Sequence, residues 1–436
     1  MMKRSINIGL CGLGTVGTGV LKQLNENASL IRDRVGADLK ITRAVTVDPY
    51  DHILSDLSGV KVSDSVNDVL EDPEIDIVVE MIGGVTIAKD LILEVFKKRK
   101  SVVTANKALL AEHSSQIFEA AYKSNCFLGF EASVGGGIPI IRSIREGFSG
   151  DRIDEISGIV NGTANYILSS MTNEGVDFQK ALKEAQEKGY AEADPTYDIE
   201  GIDAAHKILL LMELAYNSLF DFKQLYIEGI SKIESIDIEI AREYNYVIKL
   251  LGKTQKTEKG YEGRVHPVMV NSDSMLASVQ GAFNAITVCG NFVGETMSYG
   301  AGAGSFPTAS AVVGDIIQIS RRLVDGDLAP VPPLSVGIEK LELKEILPID
   351  EIETEYYLRL SVKDSQNSIA EIRDQLSKNQ VHVRVFDQKA MEDKNDGELL
   401  VIFTKKSAEK NIQTAISSIN KLPDVVQPAK LIRVDT

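Results

Sequence analysis

The sequence Gly12-Leu13-Gly14-Thr15-Val16-Gly17 follows a short apolar run, Ile6–Cys11, and opens a stretch whose apolar residues recur at helical spacing. Few architectures suit a strand that turns through three glycines into a helix. Gly12 permits the tight turn, Gly14 lets backbone approach a pyrophosphate with no side chain in the way, and Gly17 lets helix and strand pack closely. The first turn of the helix, with Thr15 and Val16, then offers free N–H groups and a positive dipole end to an anion. The spacing alone is weak evidence, and a glycine-rich turn without a ligand is the bland alternative. The strand before it and the helix after it favour a dinucleotide site.

The pattern that follows agrees. Strands at Leu39–Val47, Ile75–Met81, Ser101–Thr104 and Cys126–Phe130 alternate with helices at Val16–Asn25, Ala88–Lys98 and Leu109–Lys123. Such alternation implies right-handed crossovers and a Rossmann-type, doubly wound parallel sheet over residues 1–130. Residues 131–325 read as an α+β domain. It has a strand at Ile153–Val160, helices from Thr163, over Phe178–Lys188 and from Ile202, a glycine-rich loop at Gly294–Gly304 and a helix at Pro307–Arg322. Pro330, Pro332 and Pro333 mark a linker over 326–350, across which few contacts are expected. Residues 351–436 read strand, helix, strand, strand, helix, strand, the ferredoxin-like βαββαβ order. The fold class is therefore α/β, with an α+β second domain and a ferredoxin-like third.

With a net charge of −16 over 436 residues the chain repels nucleic-acid phosphates unless a basic patch is segregated, and the sequence shows none. The densest basic run, Lys97-Lys98-Arg99-Lys100, suits a helix C-terminus, where cations are favoured. Lys3 and Arg4 before an apolar run look superficially like a secretory leader, but glycines interrupt that run, so it reads as the first strand. Apolar stretches such as Ile208–Met212 are too short to span a bilayer. Cys11, Cys126 and Cys289 show no metal or disulfide spacing, which fits a cytoplasmic location.

The carboxylate that binds the adenosine ribose is expected at the end of the second strand. Asp48 holds that place, and a plain turn residue before Pro49 is its alternative reading. No Lys or Arg lies between Val45 and Ser58. By strand alternation Arg43 points elsewhere. Either NAD or NADP fits the motif, and these residues favour NAD.

The stretch Gly189–Lys207 holds five carboxylates in 19 residues and ends in a lysine. Pro195 and Gly201 keep its first part irregular. Beyond Gly201, Asp203 and Lys207 are four apart and share one helix face beside an apolar stripe. A lysine so placed is either a proton donor or substrate clamp, or one half of a surface ion pair.

This stretch resembles the signature of homoserine dehydrogenases. Thr104-Ala105-Asn106-Lys107, Glu131–Pro139, Asn161–Tyr166 and Gly302–Ala311 resemble the same family in the same order. The resemblance covers roughly residues 5–320. It implies reversible, NAD(P)H-dependent reduction of L-aspartate 4-semialdehyde to L-homoserine, in threonine, methionine and isoleucine biosynthesis. It gives Lys207 and Lys107 catalytic roles, Lys107 near the nicotinamide. Glu192 and Asp203 would bind the substrate ammonium, with Thr163, Tyr190 and Asp198 in the same substrate site. Thr104, Gly189 and Gly302 join the cofactor site. Glu131 and the carbonyls of Val134, Gly136 and Ile138 would hold a sodium ion. The C-terminal segment resembles an ACT domain, which implies an amino-acid effector or a packing role. The glycine usual after the first strand of such a domain is missing beyond Asp364, which argues for packing. A homodimer or homotetramer is expected, with no nucleic-acid or membrane partner. Two rival readings are a phosphorylating semialdehyde dehydrogenase with Cys126 as nucleophile and an NAD-binding redox regulator with an ACT module.

Overall fold

The computed structural model describes residues 5–47, 56–326, 329–363, 365–390 and 398–435. Asp48, Pro49 and Asp364 lie outside them. The N-terminal half forms a parallel sheet of six strands. Its spatial order is Lys61–Ser63, Asp38–Val45, Ser5–Cys11, Ile77–Glu80, Ser101–Thr104, Leu128–Gly129. Successive residues of a strand point to opposite faces. Ile77 and Val79 therefore join one core with Ile6, Ile8 and Leu10, while Val78 joins another with Val102 and Cys11. A sheet covered on both faces needs such unbroken apolar strands. Ala309, Val312 and Ile316 of helix Ser305–Asp325 enter the first of these cores.

The basic run ends helix Thr86–Lys97, as its charge suggested. Lys100 goes further. Its buried ammonium donates to the carbonyls of Val69, Leu70 and Asp72 at 2.8, 2.7 and 2.7 Å, at the C-terminal end of the short helix Asn67–Leu70.

The second sheet is mixed and has eleven strands. Tyr246–Lys256 and Tyr261–Asn271 run antiparallel near its middle, flanked on one side by Ile153–Ile159, Phe283–Gly290 and Gly294–Ala301. The sequence pattern did not disclose the strands between residues 246 and 290. In Tyr246–Lys256 the buried run is interrupted by Lys249 and Lys253, both of which face the interior. The expected glycine-rich loop is corrected in part: Gly294–Ala301 is an edge strand paired with Phe283–Gly290. Small residues are tolerated there because an edge strand needs a ladder on one side alone.

The C-terminal segment has the expected βαββαβ order. Its four main strands lie antiparallel as Val425–Val434, Glu353–Val362, Glu398–Thr404, Val383–Ala390. The expectation of few contacts to the rest of the chain is not met. Val425–Val434 pairs in parallel with Tyr261–Asn271, Arg433 opposite Val268 and Val434 opposite Met269. Lys253 Nζ lies 3.0 Å from Asp435 Oδ1, and Arg359 Nε lies 2.7 Å from buried Asp237. One continuous sheet thus crosses the boundary that the prolines suggested.

Candidate active site

The glycine turn lies at the C-terminal ends of the parallel strands, where open α/β sheets bind ligands. Gly12 has φ +105°, and a Cβ there would meet Met81 O at 2.4 Å. A Cβ on Gly17 would meet Gly12 O at 2.0 Å. Gly14 differs: nothing lies within 4 Å of where its Cβ would be. Two glycines therefore close the turn and the third leaves a cradle that a side chain would fill. Gly14, Thr15 and Val16 line this cavity of about 390 Å³ together with Gly83, Gly84 and Lys107. The fit to a dinucleotide diphosphate is good.

Val16, Ala105 and Lys107 also line a second, adjoining cavity of about 760 Å³. Its wall carries Thr163, Gly189, Tyr190, Glu192, Asp198, Asp203, Lys207 and Gly302. The chain thus brings the acidic stretch to the mouth of the glycine turn. Helix Ile202–Tyr216 starts at Gly201, whose φ of +82° suits glycine. Asp203 and Lys207 face one another one turn apart, Nζ to Oδ2 at 2.6 Å. Lys207 Nζ also donates to Val160 O at 2.7 Å. Lys107, the first residue of helix Lys107–Ser124, places its Nζ 3.2 Å from Asp203 Oδ1. One carboxylate thus lies between two ammonium groups.

Asn161 completes the cluster. Its Nδ2 donates to Asp198 Oδ1 at 2.7 Å and Asp203 Oδ2 at 2.8 Å, while its Oδ1 accepts from Ala164 N at 2.8 Å and caps helix Gly162–Glu174. Burial alone would raise the pKa of Asp203, but Lys207, Lys107 and the hydrogen bonds to it outweigh burial and hold it far below the carboxylate range. Burial, with Asp203 nearby, pushes Asp198 upward. Burial lowers Lys207, Lys107 adds to this, and Asp203 opposes it. Lys207 is therefore easier to deprotonate than a free lysine, while Asp203 stays charged beside it.

Thr163 Oγ1 donates to Tyr190 O at 2.6 Å, so its hydroxyl proton is committed to the chain. Glu192 forms no ion pair among the described residues and is exposed to the cavity. Glu131 is buried; its Oε1 accepts from Ile141 N at 2.7 Å and its Oε2 from Arg142 N at 2.9 Å. Burial, then Asp315, pushes Glu131 up to about 7. Val134 and Ile138 are buried nearby, and Gly135 and Gly136 turn the chain with φ of +72° and +54°.

One expectation needs correction. Thr104 is fully buried and does not line either cavity; its hydroxyl donates to Glu80 Oε2 at 2.7 Å. It stands opposite Glu80 in the neighbouring strand, on the same face. Glu80 in turn accepts from the N–H groups of Ile82 and Gly83 at 2.8 and 3.1 Å, shaping the cofactor loop. The rival nucleophile Cys126 is buried away from both cavities, and burial raises its pKa. Asn161 and Glu80 are the functional residues that sequence reasoning missed. Asn161 stood within a quoted motif, at a helix start, where an N-cap amide is the available signal.

Comparisons with known proteins follow this geometry. Residues 139–317 match the family model described as homoserine dehydrogenase, and residues 12–131 match homoserine dehydrogenase, NAD binding domain. A homoserine dehydrogenase of Neisseria gonorrhoeae is 45% identical over 434 residues, 99% of each chain. The crystal structure of a homoserine dehydrogenase from Thiobacillus denitrificans superposes with a TM-score of 0.94 at 40% identity, covering 100% of this chain and 99% of that one. A hyperthermophilic archaeal homoserine dehydrogenase in complex with NADPH covers 72% of this chain and 97% of its own, at 27% identity and a TM-score of 0.61. With the paired lysines and the glycine cradle on adjoining walls and full-length relatives well above 30% identity, the chain belongs to the homoserine dehydrogenase family of NAD(P)-dependent oxidoreductases.

Proposed function

We propose that the chain catalyses the reversible, NAD(P)H-dependent reduction of L-aspartate 4-semialdehyde to L-homoserine, with Lys207 as the proton donor. The observation that carries this is the Lys207–Asp203–Lys107 cluster on the wall next to the dinucleotide cradle. When bound, the nicotinamide supplies the hydride in reduction and accepts it in oxidation. Two of the three Lys207 N–H groups are engaged by Val160 and Asp203, which leaves one for the substrate oxygen. As that oxygen gains negative charge, Lys207 stabilises it and delivers the proton, and the lowered pKa eases the transfer. In the reverse direction the neutral amine takes the hydroxyl proton. Lys107 adds a second cation near the reacting oxygen. Glu192 and Asp203 hold the substrate ammonium, with Tyr190 and Asp198 beside them. Backbone N–H groups at the start of helix Gly162–Glu174, Thr163 included, hold the carboxylate. Oxidation of NAD(P)H with the semialdehyde, and its absence with a phosphate-dependent semialdehyde assay, tests the reading.

The remaining assignments follow. Residues 1–130 with part of 300–330 hold the cofactor through Gly12, Gly14, Thr15, Val16, Gly17, Gly189 and Gly302; residues 131–325 carry the substrate chemistry. NAD is preferred to NADP. Arg43 supports this, since its Nε is 2.8 Å from Asp72 Oδ2 and so committed elsewhere. The kcat/KM for NADH and NADPH decides it. Glu131 with the carbonyls of Val134, Gly136 and Ile138 is assigned as a sodium site on the family resemblance, since oxygen ligands suit a hard cation, although the Glu131 carboxylate is itself held by Ile141 N and Arg142 N. Isothermal titration with sodium checks it. Residues 351–436 form an ACT-like module that packs rather than responds strongly to an amino acid, tested by L-threonine titration. The protein works as a cytoplasmic homodimer or homotetramer. Supporting this, exposed Phe283 and Tyr299 stack at the edge formed by Gly294–Ala301, and no helix among the described residues is long and apolar enough to cross a membrane.

A further inference from the structure

Arg433 is 3% exposed and comes from the last strand of the C-terminal segment. Its guanidinium is engaged on several sides. Nε and Nη2 donate to the two oxygens of buried Glu409 at 2.9 and 2.7 Å. Nη1 donates to Glu228 Oε2 at 2.7 Å, and Nη2 also reaches Tyr226 Oη at 3.1 Å. Tyr226 Oη donates to the same Glu228 oxygen at 2.8 Å. A buried guanidinium bound on both sides in this way fixes both partners.

Glu228 begins a segment that touches the substrate site from behind. Glu228 N donates to Val265 O at 2.8 Å, and Ile230 N donates to Ile199 O at 2.8 Å. Between them Gly229 presses on the turn: a Cβ there would come within 2.4 Å of Ile199 O and 2.5 Å of Glu200 Cα. Ile199 and Glu200 connect Asp198 to Gly201, the start of the helix that carries Asp203 and Lys207. From Arg433 to the acidic loop, each step is a hydrogen bond, an ion pair or close backbone packing.

We propose that Arg433 is a positioning residue for the substrate site. It holds Glu228–Ile230, and Glu228–Ile230 sets the turn from which Asp198, Asp203 and Lys207 are presented. The C-terminal strand is then part of the frame of the active site, whatever else the module does. This rests on the assignment of Asp198 and Asp203 to the substrate site.

The test is steady-state kinetics of the full-length protein with Arg433→Met, Glu228→Gln and Gly229→Ala, beside Glu192→Gln as a direct substrate-site variant. Arg433→Met removes the bonds to Glu409, Glu228 and Tyr226 together, and the release of Glu228 is expected to raise the KM for homoserine about 5- to 10-fold. The cofactor's KM is expected to stay unchanged, because none of these contacts reaches the glycine turn. Glu228→Gln keeps an acceptor for Arg433 and Tyr226 and is expected to fall between wild type and Arg433→Met. Gly229→Ala is expected to show the same KM signature without touching the ion pairs, and it carries the test if Arg433→Met does not fold. Folded variants that melt at lower temperature with the homoserine KM unchanged, while Glu192→Gln raises it, would overturn the proposal and leave the site assignment standing. An unchanged KM in Glu192→Gln as well would overturn the site assignment, and the proposal with it.

Discussion

Lys107 Nζ and Asp203 Oδ1, 3.2 Å apart, join the parallel sheet's helix to the helix that carries Lys207. The contact sits where the two cavities adjoin, and it makes Asp203 the shared anion of both lysines. Asp203 therefore remains paired when either lysine is removed, so single lysine variants are expected to fold.

Lys207→Ala is on that ground a clean test of chemistry. Its kcat is expected to fall by ~10²–10⁴-fold, the usual cost of losing a general acid or oxyanion stabiliser. Circular dichroism checks the fold. A kcat within about fivefold of wild type would remove Lys207 from the mechanism.

Gly14 and Gly17 make a contrasting pair. Gly14→Val projects into the cradle and is expected to raise the cofactor's KM on the order of tenfold or more at unchanged thermal stability. Gly17→Ala drives a Cβ toward Gly12 O, 2.0 Å away at rest, and is expected to lower stability by ~1–3 kcal/mol. Cofactor fluorescence titration and urea unfolding separate the two. The opposite pattern would mean that the turn does not face the ligand.

Lys249 is fully buried and forms no ion pair among the described residues. Its Nζ donates to Val279 O at 2.6 Å and Asn165 Oδ1 at 3.2 Å. Asn165 Nδ2 donates in turn to Gly281 O at 2.9 Å and Phe283 O at 3.2 Å. Ala282 and Phe283 line the cavity that also carries Asp203 and Lys207. Lys249→Met leaves Asn165 Oδ1 without its donor and Val279 O with only Asn165 Nδ2 at 3.3 Å, and is expected to cost about 1–3 kcal/mol in urea unfolding. No loss of stability would show that water replaces the ammonium.

Glu213 lies in the core with Oε1 accepting from Ser114 Oγ at 2.9 Å and no hydrogen-bond partner for Oε2. Burial pushes its pKa from 4.5 up to about 8. A raised folded value means that the folded state binds the proton more tightly than the unfolded one. Its contribution is full below pH 4.5 and is lost as pH rises to about 8. His206 has the opposite sign: burial lowers it from 6.5 to about 4, so it erodes stability as pH falls through that range. Between pH 6.5 and 8 the Glu213 slope stands clear of His206. Glu213→Gln is expected to flatten the stability curve there, measured by urea unfolding at several pH values. An unchanged slope would show that Glu213 is ionised in the folded protein.

What the sequence disclosed was local. The glycine turn and the Asp203–Lys207 pair each lie within a few residues, so spacing alone places them on one turn or one helix face. The Lys107–Asp203 contact joins two sheets and has no spacing to betray it. Asn161 is neutral, and its bridging role depends on two carboxylates that arrive from a different helix and turn. Thr104 was placed in the cofactor site, but its face of the strand is set by register against Glu80, which a single sequence does not disclose. The strand Tyr246–Lys256 was hidden because interior Lys249 and Lys253 break its apolar pattern.

The parallel pairing of Val268–Met269 with Arg433–Val434 also governs how the protein is made. Partners so distant in sequence meet late, since closing a long loop precedes any gain from the contact. During synthesis the strand Tyr261–Asn271 emerges well before Val425–Val434, so Val268 and Met269 wait for the neighbour that completes their ladder, while Arg264 and Val265 already have Tyr226–Ile227 beside them.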